Sequence, residues 1–414
     1  MNSLIFTGPT NLVMKCQIEK LSVKKVIFFL LALITSCIDP FTPSVEKSLS
    51  RLVVDALITD EDASYYCRLT RSFEENEDTP ERVTGATVYV TDDTGGNFMF
   101  SEVSSGVYRS DSLSFRGAVG RAYTLHISSP GGEQYESDPV TMLEVPEIDS
   151  LYFGKYEVTG DDGVPHQGIQ IYFDSEKPVD GKYLRWTYNE TWKFQIPYPV
   201  SYEYFRQDSV VYVPPENVIC WKTNNSDNII IGDKDADDSD SYKKKPLTFI
   251  ASDLSDRLTI RYYIKVRQYS ISEDEYQFRD LLKQINDAGG DIFNRPPFQI
   301  FSNVHNTERP EDQVLGYFQV SAAREASLYI DHDDLKDLEL PVYDYGCTTI
   351  LLEPYLSYTL DDLYDLYVNR LGFLLVAPEF NEFGRVIGIF ISTEDCADCR
   401  ATGNLAKPDF WVDK

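Results

Sequence analysis

Arg257-Leu-Thr-Ile-Arg-Tyr-Tyr-Ile-Lys-Val-Arg267, followed at once by Ser272-Glu-Asp-Glu-Tyr-Gln-Phe-Arg-Asp-Leu-Leu-Lys-Gln-Ile285, decides the architecture. In the first piece Leu258, Ile260, Tyr262, Ile264 and Val266 alternate with Thr259, Arg261, Tyr263, Lys265 and Arg267, the period of a strand with one buried and one wet face. In the second the period lengthens. Ser272 and Glu275 form a capping box, Ile271 and Tyr276 stand at staple positions, and Phe278, Leu281, Leu282 and Ile285 mark an apolar helical stripe. Gly289-Gly290 ends that helix and Pro296 and Pro297 break the following loop. Val314-Leu-Gly-Tyr-Phe-Gln-Val-Ser321 then returns as a strand, so a helix is carried between two strands.

Outward from this stretch the chain reads as β. Upstream lie Leu52–Ile58, Tyr65–Arg71, Thr87–Val90, Asn97–Phe100, Gly106–Tyr108 and Tyr123–Ile127, separated by Gly-rich turns. Short strands at spacings of about 8–12 residues indicate a sandwich. The extended pair Val145-Pro146 suits a linker. Beyond it come Ile148–Phe153, Gly168–Phe173, Lys182–Tyr188 and Trp192–Ile196, then a Tyr- and Pro-rich loop from Pro197 to Pro215. A second helix is expected from Thr359, with Leu360, Leu363, Tyr364, Tyr367 and Leu371 on one face and Gly372 as its stop. The expected fold is mainly β: two consecutive β-sandwich domains of immunoglobulin, fibronectin-III or transthyretin-like type, at 50–145 and 146–414, the second elaborated with about two inserted helices.

The 414 residues carry a net charge of −29, with 67 acidic against 38 basic side chains. A polyanion would be repelled, which argues against nucleic acid and anionic headgroups as partners. Aromatics make up 13%, favouring strands and recognition surfaces. At the N-terminus Lys20, Lys24 and Lys25 precede the apolar run Val26–Thr35, which is too short to span a bilayer and reads as a signal segment over 1–36. Its ending, Leu33-Ile-Thr-Ser-Cys37, resembles a bacterial lipobox. That resemblance makes Cys37 the lipidated first residue of a tether running to residue 49.

In an exported protein the remaining cysteines favour disulfides over free thiols or zinc. The tail pair Cys396 and Cys399 would close too small a ring with each other to hold anything distant. They are therefore expected to tie to Cys220 and Cys347, in one of two pairings, leaving Cys67 spare. Asp233, Asp235, Asp237 and Asp240 have the spacing that opens a calcium loop, but Asp238 stands where Gly is needed and Lys244 where a bidentate Glu belongs. His126, His166, His305 and His332 do not converge, no metalloprotease, hydrolase or phosphate-loop motif is present, and no catalytic residue or cofactor is expected. Asp111-Ser-Leu113, Asp149-Ser-Leu151 and Asp208-Ser-Val210 resemble Asp-Ser/Thr-apolar glycosylation acceptors, which makes Ser112, Ser150 and Ser209 candidates; the same pattern also starts strands after turns.

The segments Leu52–Asp60, Val83–Val90, Val145–Ser150, Arg261–Tyr269, Val314–Phe318, Cys396–Arg400 and Lys407–Trp411 resemble, in order, a family of Bacteroidota outer-membrane lipoproteins catalogued as domain-of-unknown-function family 4249. The resemblance implies a lipid-anchored accessory or binding protein, on the periplasmic or cell-surface face of the outer membrane, partnering a TonB-dependent receptor in nutrient uptake. It supplies no catalytic residues. Two other readings stand beside it: a surface hydrolase or glycan-processing enzyme, which would need convergent carboxylates around His332 or His305, and a structural or adhesion component of the envelope.

Overall fold

In the first sheet, hydrophobic alternation shapes the inner wall. A computed structural model describes residues 50–72, 79–111, 115–179, 181–206, 209–236, 241–287 and 302–414. The leader, the tether with Cys37, Ser112, Asp237, Asp240, Gly289-Gly290 and the loop with Pro296 and Pro297 lie outside the described residues. The strands are β1 (Leu52–Ile58), β2 (Tyr66–Arg71), β3 (Thr87–Asp92), β4 (Asn97–Ser104), β5 (Val107–Ser110), β6 (Ala122–Ser128), β7 (Gln134–Ser137) and β8 (Val140–Thr141). They run in the order β7-β6-β3-β4-β5-β2-β1, with β8 also on β6. Leu52, Val54, Ala56 and Ile58 of β1, Cys67 and Leu69 of β2, Val88 and Val90 of β3 and Leu125 and Ile127 of β6 all point inward and are buried.

The next strands form two sheets that meet across Trp186. They are β9 (Ile148–Thr159), β10 (Pro165–Glu176), β11 (Tyr183–Gln195), β12 (Tyr202–Phe205), β13 (Ser209–Tyr212), β14 (Ile219–Asn225), β15 (Ile230–Asp233), β16 (Ser241–Ala251) and β17 (Arg261–Ile271). One sheet is β16-β10-β9; the other is β14-β11-β17 with β15 on β11. Trp186 of β11 packs on Phe173 of β10 at 5.0 Å and on Tyr242 of β16 at 5.4 Å. Its Nε1 donates to Gln268 Oε1 at 2.6 Å, and Gln268 Nε2 donates to Pro146 O at 2.7 Å. A buried amide that satisfies both neighbours fixes how the layers register. β17 begins later than its alternation suggests. Leu258 sits in a single helical turn, Asp256–Leu258, capped by Ser255 and held by Trp192 Nε1 and Lys222 Nζ on the Asp256 carboxylate.

The helix α1 (Glu273–Asp287) starts where the capping signal puts it: Glu275 N–H donates to Ser272 Oγ at 3.1 Å. Glu275 does not reach back to the cap; it is buried and pairs with Arg279 at 2.8 Å. After the helix, β18 (Val304–Asn306) joins β7, and β19 (Leu315–Val320) lies parallel to β1. These two strands are the outer members of the first sheet, and Asn303 stitches them together. Asn303 Nδ2 donates to Phe318 O and Asn303 Oδ1 accepts from Phe318 N, each at 2.9 Å. One side-chain amide thus imitates a strand pair and brings the sheet close to a barrel, which removes exposed edges. Where two stacked layers were expected, a single curled sheet stands. Gly316 permits the parallel pairing: its φ is +84°, and a Cβ there would sit 2.0 Å from Val54 O.

β20 (Ala323–Asp331) extends the second sheet beside β17. The expected linker is a buried seam: Met142 and Val145 are buried, and Ser270 Oγ donates to Leu143 O at 2.6 Å. One continuous core runs from Leu52 to Cys399, and Ser50–Lys414 is one compact unit. A smaller core lies near the C-terminus. There β21 (Ile350–Leu352), β22 (Leu374–Phe380) and β23 (Val386–Ser392), in the order β21-β23-β22, pack with α2 (Leu360–Tyr364). Thr359 caps α2 reciprocally with Asp362. The helix then widens into a π turn, Asp365–Arg370, which rotates Leu371 out to solvent while Tyr367, Val368 and Phe373 pack inward. The mainly β expectation holds, and among the described residues no helix is long and apolar enough to cross a membrane.

Candidate functional site

The cysteines organise the C-terminal region. Cys220 bonds Cys399 and Cys347 bonds Cys396. The Cys220–Cys399 bond joins β14 to the tail, and Asn404 pairs with Trp221 in both backbone directions at 2.9 Å. The tail then lies across the outer face of the second sheet. Trp411 is buried against Trp221 and Tyr329, and Phe410 covers Tyr263 at 4.8 Å. This is why Tyr263, on the face of β17 expected to be wet, is buried. Asp398, in hydrogen-bond contact with Arg400, keeps its carboxyl below the usual range. Cys67 lies fully buried inside the first sheet with its thiol pKa pushed up by burial, which makes it unreactive core filling.

Beside the tail, the chain leaving β20 folds over the end of the second sheet and encloses a cleft of about 530 Å³. Asp331 caps the helical segment His332–Leu338 by taking its N–H bond from Asp334, reciprocated at 2.9 Å. Leu335 is buried, Leu338 and Leu340 pack on the main core, and Glu339 ends the segment in the left-handed region at φ 49°. The following residues bring Tyr343 and Tyr345 back over Leu258 and Thr259, their rings edge-to-face at 72° with centroids 4.8 Å apart. Burial raises the pKa of both phenols. His332 Nδ1 lies 3.1 Å from Leu258 O. A carbonyl can only accept, so Nδ1 carries a proton, and in the neutral ring Nε2 is the acceptor.

The other sequence candidates disperse. His126 stacks on Tyr89 and contacts Thr91 Oγ1 at 2.9 Å; His166 pairs with Asp253 at 2.7 Å; His305 pairs with Asp138 at 3.1 Å. No cluster of His, Cys, Asp or Glu among the described residues could hold a metal. At the acidic turn, Lys182 Nζ stands 3.7 Å from Asp233 and 3.2 Å from Asp235, so an ammonium neutralises two of the calcium candidates. Ser150 lies inside β9, half-buried, hydrogen-bonded to Asp174, whereas Ser209 opens β13 in the open. The aromatic loop is partly packed. It forms the β12–β13 hairpin, whose Tyr204 stacks on Tyr364 at 4.6 Å and donates to Asp361 at 2.7 Å, while Phe205, Val211 and Tyr212 stay exposed.

What the residue pattern did not reveal is a pair of apolar tips. Leu352 pairs with Ile389 and Ile350 with Ile391, so the end of β21 and the β22–β23 turn emerge from the same end of the small sheet. On the first turn, Tyr355–Tyr358, Leu356 is 96% exposed at φ 53°; on the second, Phe383 is 91% exposed. Glu353 and Glu382 flank them.

The fold and this region define a mainly β protein with a strapped cleft and an apolar-tipped appendage. Residues 38–327 match the model of a domain of unknown function, DUF4249, and the chain belongs to that family. No curated protein matches it. The matched span starts directly after Cys37 and stops inside β20, so the cleft's strap and the appendage lie outside it.

Proposed function

We propose that this chain is a lipid-anchored accessory protein of a bacterial outer membrane. It would be tethered through Cys37 and dock by its C-terminal appendage against a TonB-dependent receptor. In this reading Ser50–Lys414 acts as one compact β body on the tether. The observation that carries it is Leu356. A left-handed backbone at a tight turn favours glycine or asparagine, and full exposure of a leucine gains the isolated chain nothing. Phe383 repeats the pattern at the neighbouring tip. Two such residues at one end of a sheet, with Glu353 and Glu382 beside them, suit a protein surface with an apolar centre. The Leu33–Cys37 pattern and the start of the family match at residue 38 support the anchor.

The test is affinity isolation from detergent-solubilised membranes, comparing the native chain with Leu356→Asp plus Phe383→Asp. The native chain should bring down a large outer-membrane β-barrel protein, and the double variant should lose it while remaining in the membrane fraction. Recovery of the native chain alone, under conditions that retain other receptor complexes, overturns the reading. Cys37→Ala should release the protein from membranes, since three acyl chains outweigh peripheral contacts at about 0.8 kcal/mol per buried CH₂.

A further inference from the structure

The cleft between the second sheet and the strap after β20 is independent of the appendage, and its chemistry is more selective than its size. A volume of about 530 Å³ suits a small molecule. Its lining includes Leu258, Leu335 and Leu340 and the edge-to-face pair Tyr343 and Tyr345, inclined at 72°. Two rings steeply inclined to each other offer a corner to a flat or chair-shaped ring, against apolar C–H faces.

The polar groups on this apolar frame are mostly acceptors. His332 Nδ1 donates to Leu258 O, so in the neutral ring Nε2 is the nitrogen that can accept. Glu339 contributes an exposed carboxylate at the rim, on a backbone fixed by its left-handed φ and by the bond from its N–H to Lys336 O. Thr259 Oγ1 donates to Asp256 O at 2.8 Å and also hydrogen-bonds the Tyr345 hydroxyl, which fixes that ring in the cleft. Lys336 is engaged by Asp333 at 2.9 Å. The surrounding carboxylates are spoken for: Asp256 by Lys222, Asp334 by the Asp331 N–H and Lys414, and Asp344 by the Gly346 N–H. Glu339 is the one lining carboxylate, and it faces neither a free cation nor an anion-binding nest. A ligand complementary to this cleft presents hydroxyl donors, an apolar ring face and no negative charge.

We infer that the cleft binds a neutral sugar, one or two pyranose rings in size, stacked in the corner of Tyr343 and Tyr345 and donating hydroxyls to Glu339 and His332. The test is titration calorimetry on the full mature chain against methyl glucoside, cellobiose, maltose and N-acetylglucosamine, with galacturonate and glucosamine as charged controls. At least one neutral sugar should bind saturably. Tyr343→Ala should weaken it about tenfold or more and Glu339→Gln several-fold, each with an unchanged melting curve. Tyr343→Phe, which keeps the ring, should retain most of the affinity, and this variant separates loss of stacking from loss of folding. No binding by any neutral sugar, tighter binding of either charged control, or affinity indifferent to Tyr343→Ala and Glu339→Gln would each overturn the inference. None of these outcomes depends on receptor capture, so cleft and appendage can fail separately.

Discussion

The curled first sheet and the C-terminal appendage hold themselves together by opposite means. The sheet buries a long inner wall from Leu52 to Phe318, closes through one asparagine amide, and carries Cys67 inside it unused. The appendage buries only Leu352, Leu360, Leu363, Leu375, Val386, Ile389 and Ile391 as its core and is flanked by the Cys347–Cys396 bridge, while Cys220–Cys399 ties the tail to the second sheet. Apolar burial scales with the size of the core, so a large body needs no covalent help and a small one does.

The largest effect should come from the bridges. Replacing all four paired cysteines by serine opens loops spanning 179 and 49 residues, for which chain entropy gives about 5 and 4 kcal/mol as upper values. Thermal unfolding with limited proteolysis should show residues 342–414 cleaved first while the sheet survives. Simultaneous loss of both regions would mean that they are not separable in stability. Next, Asn303→Ala strands the N–H and C=O of Phe318 and should cost about 2–4 kcal/mol in urea unfolding. A cost under about 1 kcal/mol would show that water replaces the amide and that closure is dispensable.

Acid probes the tied half more gently. Asp398 has a folded pKa below its unfolded value, so its contribution is present above about pH 4 and is lost as pH falls through the folded value. Melting temperatures of native and Asp398→Asn chains should therefore differ near neutrality and converge in acid. Leu356→Gly should stabilise the isolated chain by about 0.5–1 kcal/mol by relieving the left-handed strain, while abolishing partner capture. Destabilisation would show that Leu356 serves the fold. The smallest effect belongs to Cys67→Val, within about 1 kcal/mol of native, with the native thiol inert to iodoacetamide until unfolding.

What was legible in the chain was local. Ser272 and Thr359 announced their helices because a cap is satisfied within four residues, and alternating Leu52–Ile58 announced an inward face. The aromatic hairpin read as a loop because its Tyr204 is held by Asp361 and Tyr364, more than 150 residues away in sequence. Leu371 was assigned inward because a π turn leaves no signature in the spacing of apolar residues.

The sequence by itself determined that the chain is mainly β, that two helices interrupt it, and that its tail cysteines reach back to Cys220 and Cys347. These follow from periodicity, caps and ring size, which need no knowledge of distant neighbours. Only the tertiary structure decided that Cys399 takes Cys220 and Cys396 takes Cys347, that β18 and β19 return to close the first sheet through Asn303, and that Tyr343, Tyr345, His332 and Glu339 surround one cleft. Each of these joins residues through space whose separation along the chain carries no period, so the choice falls to packing.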